Sequence, residues 1–219
     1  MEDLEQTAGE ETPIFLKIPA KIISILFHPL LMPVFGMFLL FHYKEYLEYS
    51  LPEKIEITVY KVVVATTLVF PILMTIVFKL KGTIDTFEMK TREERRFPFL
   101  FTAIFYMFGY YLLKKLGLPT LFYKVLLGAT ISVLLSVIVN LFWKISVHLI
   151  GIGGIIGTLL LMSQIVIIDI RLPLLIAIFI AGITGTARLI LKEHSPAQLY
   201  IGFFIGFLSE FMMLWVKHL

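Results

Sequence analysis

The chain has 219 residues, 58% of them hydrophobic, with a mean hydropathy of +0.91 and only 16% charged. A water-soluble domain of this length carries far more charge, so a soluble fold is excluded. The absence of cysteine removes disulfides and thiolate metal sites, and a net charge of +3 gives no footing for a nucleic-acid partner.

Residues 1–21 read as a polar tail, with acidic residues crowded into the first eleven positions and Pro13 after them. A cleaved signal peptide would begin basic and turn apolar at once. Residues 22–219 read as one membrane domain. Seven segments approach the roughly 20 apolar residues that a helix needs to cross a bilayer. They are 22–42; 57–78, with Lys61 placed to snorkel; 97–113; 125–143; 145–168; the short 172–187; and 196–216, with Glu210 inside. The runs are continuous rather than alternating, which predicts helices instead of a barrel. Short later connections predict a compact antiparallel bundle. The expected fold is an all-α polytopic membrane bundle, multi-pass, and placed in the cytoplasmic membrane of a prokaryote.

The first segment contains His28-Pro29, Pro33 and Gly36. Proline removes a backbone donor and kinks or breaks a helix. Two readings stay open: a kinked spanning helix, or a broken, re-entrant segment that leaves six spans. The choice sets which side the amino terminus shares. Lysine and arginine counts do not choose a face once Lys90, Arg96 and Arg188 are set aside for chemistry.

Three polar islands stand at ends of these runs, separated by even numbers of them, so all three return to one face. The first holds Lys90, Arg95, Arg96 and Pro98; alone it is also an ordinary positive loop. The second holds Ser146 and His148, followed by Gly151, Gly153, Gly154 and Gly157, small residues that permit close helix packing. A histidine at a helix start is unremarkable by itself, yet its ordinary pKa suits proton transfer at neutral pH. The third holds Arg188 and His194. Ser195, Pro196 and Gln198 form a helix-start signature, with Gln198 at the capping-box position. His194 thus precedes a helix amino terminus, which favours anions, and Arg188 offers a bidentate fork. Taken singly, this island is also an interfacial loop with an anchoring arginine.

The ordered set resembles the phosphatidic acid phosphatase type 2 superfamily, which includes lipid phosphate phosphatases and vanadium haloperoxidases. The likeness covers roughly residues 85–210. Lys90 and Pro98 keep the family separation, though Phe97 stands where the family has arginine. Ser146-x-His148 keeps part of the second motif, with Val147 replacing glycine. Arg188, five residues and His194 match the third, while Ala187 replaces serine and Gln198 replaces aspartate. The resemblance implies metal-free and cofactor-free hydrolysis of a membrane lipid phosphate or polyprenyl phosphate. In it His194 is the nucleophile and His148 the acid for the leaving group. Gln198 stands at the position that orients the nucleophile, and Lys90, Arg96, Ser146 and Arg188 hold phosphate. Arg95 is the alternative to Arg96. Glu193 or Glu210 is a candidate for the missing carboxylate.

A second expectation follows from the departures. Gln198, Val147 and Phe97 describe a catalytically impaired relative that binds anionic head groups or serves as a membrane partner protein. A transporter is the third, since a charge within a span, here Glu210, marks many transport pathways.

Overall fold

The computed structural model describes residues 12–43, 51–165 and 167–216. The acidic residues of the amino-terminal eleven lie outside them. The described chain is all-helical, and seven of its helical stretches are long and apolar enough to cross a membrane. This is a multi-pass membrane architecture.

The first stretch is broken. Helix α1 (Ile14–Leu26) ends before a 3-10 turn (Pro29–Leu31), and α2 (Met32–His42) follows. The break is chemical: Pro29 and Pro33 supply no N–H, and the His28 ring instead accepts from the Leu30 amide. Helix begins at Ile14, eight residues before the first apolar segment read from sequence, so part of the expected tail is structured. The second stretch runs from α3 (Glu53–Val64) through a π-helical turn (Ala65–Val69) into α4 (Phe70–Leu80). The others are α5 (Arg92–Lys115), α6 (Thr120–Phe142), α7 (Val147–Ile165), α8 (Arg171–Ile190) and α9 (Pro196–Trp215).

Helix α7 is the hub. Two thirds of its apolar window (67%) is buried, against 28–39% for the other six stretches. Those others turn rows such as Leu172, Leu175, Ile176 and Phe179 outward, as lipid contact requires. Between α7 and α9 the backbones nearly touch. A Cβ at Gly206 would collide with the Ile150 carbonyl, and one at Gly153 with that of Phe203. Lipid tails are as apolar as the helices, so this close packing, rather than hydrophobic segregation, joins the pair. Gly206→Ala should therefore force α7 and α9 apart and cost about 1–3 kcal/mol. Gly182→Ala, where a Cβ meets nothing within 4 Å, serves as the control and should leave thermal stability in detergent unchanged.

The three islands gather at one end of the bundle. Arg92 donates to the Leu141 and Phe142 carbonyls, Lys144 pairs with Glu193 at 3.3 Å, and the Ser146 amide reaches the Gln198 carbonyl. Helix α1 begins and ends there too. Thr12 Oγ1 donates to the Ile190 carbonyl, and the Ser24 carbonyl meets His148. The α1 segment thus lies across this end, and only α2 descends, bringing Phe41 against Phe122 at the far end of α6. Neither sequence reading of the first segment describes this fully. It is broken, yet its amino-terminal end shares the end of the islands.

Candidate functional site

A cavity of about 760 Å³ opens among α1, α2 and α4 to α9. Its mouth carries Lys90, Arg95, Arg188, Glu193 and His194, and its wall includes Ser24, His28 and His148. Farther in, Met32, Val125 and Ile155 line it together with the hydroxyl-bearing Tyr106, Ser132, Ser136 and Thr158.

Helix α5 starts with a capping box, Thr91 with Glu94, which fixes its first turn. Arg95 follows on the inward face, 4% exposed, with Nε donating to the Met89 carbonyl at 2.8 Å and Nη1 to that of Ile145 at 3.1 Å. Arg96, one residue on, is exposed and takes no part in the wall. An α-helix turns about 100° per residue, so only one of two adjacent arginines can face the cavity. Lys90 lines the mouth and is exposed there.

Ser146 is fully buried but outside the cavity wall, and its Oγ has no partner. Its carbonyl is packed 2.6 Å from where a Cβ on Gly202 would lie, so the residue belongs to the α7–α9 crossing. Arg188 is 9% exposed and points Nη1 at Ser24 Oγ, 3.3 Å away. Nη2 stands 3.8 Å from Glu193, whose carboxylate also holds Lys144, and Nε has no acceptor.

The three imidazoles have readable tautomers. Gln198 Oε1 accepts from the Ser195 amide at 3.1 Å, which identifies that atom as the oxygen. His194 Nδ1, also 3.1 Å from it, must then donate, leaving the lone pair on Nε2. One side-chain oxygen thus caps α9 and orients His194. His148 Nε2 lies 3.1 Å from the Ser24 carbonyl, an obligate acceptor, so Nε2 carries the proton. His148 Nδ1 is buried without a partner. His28 Nδ1 accepts from Leu30, which places its proton on Nε2, and its ring stands edge-on to His148 at 5.7 Å.

Burial, then the positive charges of Arg95, Arg188 and Lys144, push His194 down to about 3, and only the Gln198 contact opposes this. The ring is neutral throughout the physiological range. Burial also lowers Lys144, which its pairing with Glu193 partly offsets.

Two backbone outliers mark the mouth. Met89 (φ 48°) and Lys192 (φ 53°) are the non-glycine residues with positive φ among the described ones, and both line the cavity. Side-chain-bearing residues adopt this region at a cost, and such strain concentrates at functional sites.

The structure thus brings His194, His148, Gln198, Arg188 and Lys90 together, with Arg95 rather than Arg96, and keeps Ser146 to one side. Sequence reading missed Ser24 and His28, which reach the site from α1 and the 3-10 turn. The one local signal for them was the His28-Pro29 interruption. Neither Glu193 nor Glu210 is bonded to His194: Glu193 serves Lys144 and Arg188, and Glu210 packs against glycines of α6 and α7. No protein-family model, curated protein or solved structure matches the chain.

Proposed function

We propose that the chain is an integral membrane phosphatase that hydrolyses a lipid phosphate or polyprenyl diphosphate through a phosphohistidine, without metal. The observation that carries this reading is the convergence of Arg95, Arg188 and two tautomer-fixed imidazoles, His148 and His194, on one cavity. Arg95, Arg188 and Lys90 hold the phosphate oxygens. His194 Nε2 attacks phosphorus as the ester P–O bond breaks. His148 Nδ1 takes the proton carried by the phosphate monoanion and gives it to the departing oxygen, while its Nε2–H stays on the Ser24 carbonyl. Water then attacks the phosphohistidine, its proton passes by way of His148 Nδ1 to the phosphate formed, and phosphate and neutral His194 are freed.

A second reading, binding of anionic head groups without turnover, is favoured by one observation. Gln198 supplies no charge, and a ring held near 3 is a weak base and hence a weak nucleophile.

The test is phosphate release from lipid-phosphate and polyprenyl-diphosphate vesicles by purified protein in excess chelator. The phosphatase reading expects steady turnover, a loss of at least about 100-fold in Arg95→Ala and little change in Arg96→Ala. Binding of the same vesicles with no release by the native protein would sink it in favour of the second reading.

A further inference from the structure

Glu210 is used by none of this chemistry. It stands fourteen residues past Pro196 on α9, about 21 Å along the axis. It is 4% exposed, it lines the same cavity as the cationic mouth, and its Oε2 has no hydrogen-bond partner. Among the described residues, none forms an ion pair with it.

The surrounding helices keep space for this carboxyl. A Cβ at Gly128 on α6 would collide with Glu210 Oε2, and one at Gly154 on α7 would lie 3.1 Å from Glu210 Cγ. Gly154 is six residues past His148, about 9 Å deeper along α7. The cavity is therefore cationic at the mouth and carboxylic within, with Met32, Ser132 and Ser136 between, and Val125 and Ile155 at or below the level of Glu210.

Such a group needs a partner in either form. An ionised carboxylate in an apolar surround is strongly unfavourable without a cation, and a neutral acid there still loses free energy unless its hydroxyl and carbonyl are bonded. A plain hydrocarbon tail against Glu210 would satisfy neither. We propose that Glu210 is a second recognition point, receiving an amine or hydroxyl carried by the same amphiphile whose phosphate sits at the mouth. This rests on the phosphate reading of the mouth and narrows its substrate class. The preferred phosphate ester carries a hydrogen-bond donor at its inner end.

The test is calorimetric binding of decyl phosphate and its ω-amino derivative to the full chain in detergent. Native protein should bind the amino compound about tenfold more tightly, the scale of one charge-assisted hydrogen bond. Glu210→Leu should reverse that preference. Glu210→Gln, which keeps the shape and folds if the leucine variant does not, should reduce it at least threefold. Equal affinities in native protein, or a preference that Glu210→Gln leaves intact, would overturn the proposal while sparing the phosphate site. Folded native protein that binds neither compound would instead remove the phosphate reading, and this proposal with it.

Discussion

His194→Ala should reduce metal-free phosphate release to background, a loss of at least about 10³-fold, because no covalent intermediate forms without its imidazole. The geometry makes the expectation specific to this ring. His194 Nδ1 is committed to Gln198, so Nε2 alone presents a lone pair, and the ring is only 7% exposed at the cavity wall. His148→Ala should lose less with substrates whose leaving group departs without a proton, such as an aryl phosphate, since its assigned work is protonation. Native protein should yield an acid-labile, base-stable phosphoryl adduct, and the alanine variant none. Equal rates in native and His194→Ala protein would remove the nucleophile assignment. The structural cost of the change is small: the lost contact is one hydrogen bond, and Gln198 still caps Ser195.

The bundle was readable because each span is a continuous apolar run, and continuity needs no tertiary information. Close packing at the α7 glycines was readable for a similar reason, since small residues at helical spacing have one strong use in a membrane, but their meeting with α9 was not. The start of α1 was not, because Lys17 and Lys21 interrupt its apolar residues and make it resemble a tail. Both lysines in fact line the cavity, while Ile14, Ile18 and Ile22 face outward. The exchange of Arg96 for Arg95 is a matter of helix rotation. Motif spacing counts residues from Lys90, but the face presented to the cavity depends on where the Thr91–Glu94 box starts the helix. Ser24 and His28 were out of reach for another reason. Their contacts with Arg188 and His148 span 164 and at least 120 residues, and only packing brings them together.

Gln198 is where sequence and structure together give the second large expectation, and they change which variant to make. The superfamily that the sequence resembles has aspartate here, but the structure shows one Gln198 oxygen accepting from both the Ser195 amide and His194 Nδ1. Aspartate is a methylene shorter and would have to give up one of these. Gln198→Glu keeps the oxygen in place and adds the negative charge. That charge should stabilise the imidazolium and raise His194 from about 3 toward its ordinary value, making it a stronger base and nucleophile. In a serine protease triad, removing the equivalent charge costs about 10⁴ in kcat, so a gain of about 10²-fold or more is expected here. The sign has a second consequence. The native ring, depressed below its unfolded value, should show no NMR titration between about pH 5 and 8, the window of an ordinary histidine. In Gln198→Glu its titration should move up toward that window. A raised titration with no gain in turnover would mean that a weak nucleophile is not what limits the native protein, and would favour binding without hydrolysis. An unmoved titration would mean that the glutamate has left His194 for the capping box alone.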